Sequence, residues 1–245
     1  YGQADVILAV GTRLTIGSPS PDATIIHIDA DEAEIGRTYA GGISLAGDAK
    51  ATLALLNDAL ADAGAGSRSA PAAVLDEVRE YLASPAERTE PQDSYLEAIR
   101  EGLPRDGITI FGMTQMGYYS RPFWKTYARR SFLDSGYSGN LGFAYPTAIG
   151  AKVACPDQAV VCVSGDGGFG YNSPEMSTAV KYGINVVTVL FNDGHYGNVA
   201  RDMDMEFGGD YESDFVNPDY MKLADAYGLY GKRVNDPGDL AGVIK

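Results

Sequence analysis

Two runs of branched apolar residues dominate the hydrophobic pattern of the chain. Val160-Val161-Cys162-Val163 leads into Ser164-Gly165-Asp166-Gly167-Gly168-Phe169, and Val186-Val187-Thr188-Val189-Leu190-Phe191 leads into Asn192-Asp193-Gly194-His195. Continuous rather than alternating apolar character marks strands buried on both faces, as in a parallel sheet covered by helices. The order predicted is strand, glycine loop, helix, strand, acidic turn. The helix is expected over residues 172–182, with Met176, Ala179 and Val180 facing inward.

The same reading places strands at 5–10, 24–29, 108–111 and 229–234, and helices near 49–62, 71–83, 95–100 and 220–228. Residues 135–151 read as a glycine-rich turn that gives way to a helix of small residues, and the acidic stretch 201–212, with its Met and Gly, reads as a mobile segment. Between Ala61 and Pro91 the chain is rich in Ala, Ser, Gly and Pro, a linker composition. The expected fold class is therefore α/β, with two Rossmann-like parallel-sheet domains. The first, incomplete, covers 1–60; a linker covers 61–92; a second domain covers 93–245. The chain enters a strand almost at once from Tyr1 and stops in a helical pattern at Val243-Ile244-Lys245, so a piece of a longer polypeptide is expected.

Ligands of open α/β sheets collect where strands end at their carboxyl side. Gly165, Gly167 and Gly168 would let the backbone approach a phosphate there. Asp166 cannot hold a phosphate alone, because two anions repel; its natural companion is a hard cation such as Mg²⁺ bridging carboxylate and phosphate oxygens. A second oxygen ligand is available from Asp193 or Asn192, and a third from a main-chain carbonyl of the Gly194-His195 turn. Thr114, after the strand 108–111, is either a contact to the same ligand or a plain helix cap. The aromatic run Tyr118, Tyr119, Phe123, Trp124 and Tyr127 reads as core or subunit-interface packing. His27, within an apolar strand, reads as a satisfied core histidine. Asp29 could take ribose hydroxyls, but no G-x-G-x-x-G precedes it, and an acidic turn capping the next helix is the plainer reading.

The charge narrows the classes further. With 33 acidic against 19 basic residues the net charge is −14, which argues against a grip on nucleic acid or anionic membrane. Cys155 and Cys162 are the only cysteines, and both read as small core residues. With no apolar run long enough to span a bilayer and no signal peptide, a cytoplasmic protein is expected.

Gly165-Asp166-Gly167 followed by Asn192-Asp193 resembles the cofactor motif of thiamine-diphosphate enzymes, which runs Gly-Asp-Gly to Asn-Asn. The turn Gly139-Asn140-Leu141-Gly142-Phe143 resembles the same family's segment beneath the cofactor rings, and Asp29 to Arg37 with Leu45 to Lys50 resembles its central domain. The resemblance implies that Asp166, Asp193 and the main chain of His195 hold the metal. It places Thr114, Gln115, Met116, Gly139, Leu141, Gly165, Gly167, Gly168 and Tyr196 at the cofactor beside them. Leu141 would press under the thiazolium and pyrimidine rings, and the Gly139 carbonyl would accept a hydrogen bond from the pyrimidine amino group. Asp193 departs from the family's second Asn, adding a negative charge. Some members hold FAD with an Arg-containing loop; Arg13 stands at that place, but Leu14-Thr15-Ile16-Gly17 lacks the charged residues that follow it, which argues against FAD.

The implied activity is that of the acetolactate synthase and 2-oxo-acid decarboxylase group: attack of a thiazolium ylide on a 2-oxo acid, with loss of CO₂. Val199 stands where pyruvate decarboxylases carry Glu, which favours a carboligase over a decarboxylase. In the family the activating glutamate belongs to an N-terminal domain that this sequence lacks, so no catalytic residue is assigned here. The active site would form between subunits of a homodimer or homotetramer. A non-catalytic cofactor-binding module that needs a partner subunit is the remaining alternative.

Overall fold

A computed structural model describes residues 4–15, 17–66, 72–84, 88–136 and 138–245. Tyr1, Ile16, Pro71 and Tyr137, which figure in the expectations above, lie outside them. The chain divides into two compact units, Tyr1–Ala72 and Ala73–Lys245.

The first unit holds a parallel sheet of β1 (Val6–Val10), β2 (Thr24–Asp29) and β3 (Ile43–Ala46), in that order, followed by helix α1 (Ala49–Asp62). Asp48 caps α1 by accepting the Ala51 amide at 2.9 Å. His27 is buried and satisfied, with Nε2 2.8 Å from the Thr12 carbonyl and Nδ1 accepting the Gly36 amide at 3.4 Å. Asp29 accepts the Asp31 amide at 2.9 Å and so makes the expected acidic turn. Turns rather than a helix follow it, so the capping role does not apply.

The second unit runs α2 (Ala72–Ala83), α3 (Gln92–Gly102), β4 (Ile108–Phe111), α4 (Gln115–Phe123), β5 (Phe132–Asp134), α5 (Ala144–Ala154), β6 (Val160–Gly165) and α6 (Asp166–Asn172). A 3₁₀ turn at Ser173–Glu175 leads on to α7 (Met176–Tyr182), β7 (Val187–Phe191), α8 (Gly197–Phe207), α9 (Tyr220–Ala226) and α10 (Pro237–Ile244). Its sheet is wholly parallel in the order β5-β4-β6-β7. Alternate residues of the central strands serve opposite faces. Phe111, Val161 and Val163 pack with Leu96, Ile99, Trp124 and Leu240 on one side. Ile108, Ile110, Val160 and Cys162 pack with Tyr145, Ala148, Ile149, Phe169 and Met176 on the other. Each fully buried aliphatic side chain there contributes roughly 1.5–3 kcal/mol. The expected α/β class with two parallel sheets is the observed one.

Three expectations are corrected. The glycine motif is not a loop before a helix at 172–182: α6 begins at Asp166 itself, and Pro174, which has no N–H to donate, starts a new turn before α7. That break turns the face of α7, so Met176 and Ala179 are buried while Val180 is 45% exposed. Residues 229–234 form no strand; Leu229 and Val234 pack onto the two core clusters without entering the ladder. The acidic stretch 201–212 lies in α8 as far as Phe207, where Gly208 ends the helix at φ 73°.

Candidate functional site

Because all four strands of the second sheet run in parallel, their carboxyl ends share one edge. The segments 112–116, 138–142, 165–168 and 192–196 leave from that edge. The glycines among them are places where side chains from the other segments come close. A Cβ built on Gly165 would stand 3.2 Å from Thr114 Oγ1, one on Gly168 3.7 Å from Leu141 Cδ2, and one on Gly197 2.9 Å from Gln115 Nε2. One on Gly167 would meet the Tyr196 ring at 2.5 Å. Thr114, Gln115, Leu141, Gly165, Gly167, Gly168 and Tyr196 are thus brought to one place. Gly139 adopts φ +60°, a left-handed conformation suited to Gly, and its Cβ position lies 3.4 Å from the Met113 methyl. Thr114 precedes α4 without a side-chain capping bond, so its hydroxyl is not spent on the helix. Met116 differs: its side chain is buried in the core with Phe111 and Trp124, which leaves its main chain to serve the site.

Asp166 anchors the arrangement. It is 2% exposed, and among the described residues no Lys or Arg pairs with it. Its Oδ1 accepts the Gly167 amide at 2.8 Å; its Oδ2 accepts the amides of Asp193 at 2.9 Å and Gly194 at 2.6 Å, and Asn217 Nδ2 at 2.6 Å. The β6 end is thereby tied to the turn after β7. Burial first, and the Asp166 charge second, push the Asp193 carboxyl above its usual range. Two carboxylates meet here, and among the described residues no Lys or Arg pairs with either.

The turn is braced from a part of the chain that motif reading passes over. Phe215 donates its amide to the Gly194 carbonyl at 2.9 Å, and the Tyr196 amide donates to the Ser213 carbonyl at 2.9 Å. His195 Nδ1 lies 2.7 Å from Asp214 Oδ1, and the Tyr196 and Phe215 rings stand 4.6 Å apart. The His195 carbonyl carries no backbone hydrogen bond among the described residues, which leaves it open as an oxygen donor. Asn217, also unforeseen, donates to Asn192 Oδ1 at 2.7 Å as well as to Asp166. Tyr196 has its hydroxyl pKa raised by burial and by the neighbouring Tyr171 hydroxyl.

Among the described residues, no three side chains of His, Cys, Asp or Glu gather as a metal cage. The donor set is instead two carboxylates with main-chain and amide oxygens, suited to a hard cation that takes further ligands from a bound phosphate. None of these residues lines the cavity of about 440 Å³ between α3 and the chain after α4. No helix among the described residues is long and apolar enough to cross a membrane.

Residues 112–245 match the sequence family described as thiamine pyrophosphate enzyme, C-terminal TPP binding domain, and residues 1–56 match that family's central domain. The probable acetolactate synthase large subunit of Methanocaldococcus jannaschii is 34% identical over 99% of this chain and 44% of its own length. The acetolactate synthase isozyme 3 large subunit of Escherichia coli is 30% identical over 97% of this chain and 44% of its own length. A probable acetolactate synthase large subunit of Methanococcus aeolicus is 32% identical over 99% of this chain and 45% of its own. The chain spans less than half the length of these curated relatives. With more than half of its residues in the TPP-binding match, and with the Gly-Asp-Gly and Asn-Asp segments meeting at one sheet edge, the chain belongs to the thiamine pyrophosphate enzymes.

Proposed function

We propose that this chain forms the diphosphate-binding part of a thiamine-diphosphate and Mg²⁺-dependent enzyme that acts on 2-oxo acids, with an acetolactate synthase-like carboligation as its reaction. The observation that carries this reading is Asp166: a buried carboxylate with no Lys or Arg partner among the described residues, beside Asp193, at the glycine-lined edge of a parallel sheet. The residues fit the group. Asp166, Asp193 and the His195 carbonyl would hold the cation, since Asn192 Oδ1 is taken by Asn217. Gly165, Gly167 and Gly168 would admit the diphosphate, Thr114 and Gln115 would close its other side, and Leu141 would support the rings. When bound, thiamine diphosphate supplies a carbon nucleophile and an electron sink for decarboxylation of a 2-oxo acid. The chain's own part is to bind, orient and shield.

Tyr171 (62%), Phe207 (80%) and Tyr211 (77%) are large exposed rings in α6, in α8 and just beyond it, which supports a homo-oligomer whose site is completed by a pyrimidine-binding domain. The runner-up, a simple decarboxylase, rests on the same site residues, with Val199 in the first turn of α8 as the residue that favours the carboligase.

CO₂ release from a panel of 2-oxo acids, with Mg²⁺ and thiamine diphosphate, tests the reading. The 245-residue chain alone is expected to show no turnover above the cofactor-only control, and to gain it when a pyrimidine-binding domain is supplied. General acid–base help of the kind that domain would bring contributes about 10²–10⁴-fold. Turnover by the chain alone would refute this division of labour, and acetolactate rather than aldehyde as product would separate carboligase from decarboxylase.

Asp193 gives a pH-dependent prediction. A carboxyl whose folded pKa is raised holds its proton more tightly folded than unfolded. Its contribution is therefore most favourable at low pH and is lost as pH rises through the folded value. Asp193→Asn is expected to raise the melting temperature at pH 7, the gain shrinking as pH falls toward the ordinary Asp value of about 3.9. Cofactor affinity should hold or improve, because Asn keeps an oxygen ligand and removes one charge beside the diphosphate. A loss beyond about tenfold, roughly 1.4 kcal/mol, would mean that the carboxylate itself is required.

A further inference from the structure

We propose that Asn217 is a positioning residue of this site: its side-chain amide joins the main-chain donors in keeping Asp166 Oδ2 off the cation and holds Asn192 aside. The inference rests on the cation site proposed above.

The two oxygens of Asp166 are not equivalent. Oδ2 accepts three donors, from the Asp193 amide, the Gly194 amide and Asn217 Nδ2, at 2.9, 2.6 and 2.6 Å. Oδ1 accepts only the Gly167 amide, at 2.8 Å. An oxygen with three donors has no lone pair left for a metal, whereas Oδ1 keeps one. Two of the three donors on Oδ2 are main-chain groups of a fixed turn; the third is a side chain brought in from 51 residues along the chain. The main-chain amides fix the rotation of the carboxylate, and the third bond closes Oδ2 to a cation from the remaining side.

The same NH₂ group donates its second hydrogen to Asn192 Oδ1 at 2.7 Å. Asn192 and Asp193 stand at the same turn, and either could offer an oxygen. With Asn192 engaged, the ligand left free is Asp193. The orientation of the Asn217 amide is fixed by chemistry: Tyr220 donates its hydroxyl to Asn217 Oδ1 at 2.9 Å. The reversed amide would set an oxygen against both the Asp166 carboxylate and the Asn192 carbonyl. Asn217 is itself held close, because residues 213–215 pair with the turn at 194–196. A buried carboxylate, a ligand-side asparagine and a tyrosine hydroxyl are thus joined through one amide.

The test is the affinity for Mg²⁺ by titration calorimetry of the full chain at saturating thiamine diphosphate, with the melting temperature of the metal-free protein measured alongside. Asn217→Leu keeps much of the volume and removes both donors; it is expected to weaken Mg²⁺ binding about tenfold or more, the scale of a hydrogen bond to a charged group. Tyr220→Phe removes only the bond that orients the amide and is expected to weaken it about threefold. A merely structural residue would lower the melting temperature and leave Mg²⁺ affinity unchanged. Wild-type Mg²⁺ affinity in Asn217→Leu therefore overturns the inference. If that variant does not fold, unchanged affinity in Tyr220→Phe overturns it in the same way. Failure of the unaltered chain to bind thiamine diphosphate with Mg²⁺ is a separate result: it refutes the cation site, and this inference with it.

Discussion

Asp166→Ala is expected to weaken Mg²⁺-dependent binding of thiamine diphosphate by at least about 100-fold, roughly 2.7 kcal/mol or more. Two losses add. The cation loses its only buried carboxylate, and four donors lose their acceptor: the amides of Gly167, Asp193 and Gly194 and the side chain of Asn217. Unsatisfied donors at a buried position cost about 1–3 kcal/mol each unless water replaces the lost partner. The turn at 193–194 would then shift, and with it the Asp193 carboxylate and the His195 carbonyl. Calorimetry with thiamine diphosphate in the presence and absence of Mg²⁺ measures the effect. Wild-type affinity in the variant would remove Asp166 from the metal site. Because the fold could suffer as well, Asp166→Asn serves as the companion variant: it keeps one oxygen for the main-chain amides but no anionic charge. It should fold with a metal affinity below that of the wild type.

Much of this site is legible in the sequence because its chemistry is local to strand ends. Gly165-Asp166-Gly167 and Asn192-Asp193 each follow an apolar run that can only be a buried strand, and parallel pairing of β6 with β7 then forces both onto one edge. The placement of Leu141 beside Gly168 and of Thr114 beside Gly165 follows from the same sheet order. Two short elements, β3 and β5, are not legible in this way. Both are too short to show a period, and they exist because β2 and β4 offer them a ladder. Residues 229–234 fail in the other direction: Leu229 and Val234, the apolar ends of the run, are satisfied by packing onto the cores without a ladder. The start of α6 is hidden because three glycines and an aspartate suggest a loop. Asp166 in the first turn suits a helix amino end, and the main-chain amides it binds hold it there. Asn217 has no signal at all. It is a single polar residue before a proline, and only the pairing of residues 213–215 with the turn at 194–196 brings it to Asp166.

Gly117→Ala is expected to destabilise the second unit by about 3 kcal/mol, and so to lower its melting temperature by roughly 10 °C. Gly117 lies in the first turn of α4 and is buried, and a methyl group there would collide with the Gly112 carbonyl oxygen. That oxygen cannot give way cheaply, because it belongs to the main chain at the end of β4 and already accepts the Thr114 amide at 2.9 Å. Gly112 is closed in on its other side as well, since its own Cβ position stands 3.3 Å from the Ala144 Cβ and 3.4 Å from the Val163 carbonyl. The close approach lets the chain pass from strand to helix within a few residues and sets Thr114 against Gly165 and Gln115 against Gly197. Relieving the collision would move the helix start away from β4, so thiamine diphosphate affinity should fall together with stability. Gly150→Ala is the control. Gly150 sits in α5 with nothing within 4 Å of its Cβ position, and there the alanine should stabilise by about 0.5–1 kcal/mol through helix propensity alone. Thermal melts of the two variants compare one residue change in two helices. Equal melting temperatures would show that α4 does not depend on the contact between Gly117 and Gly112.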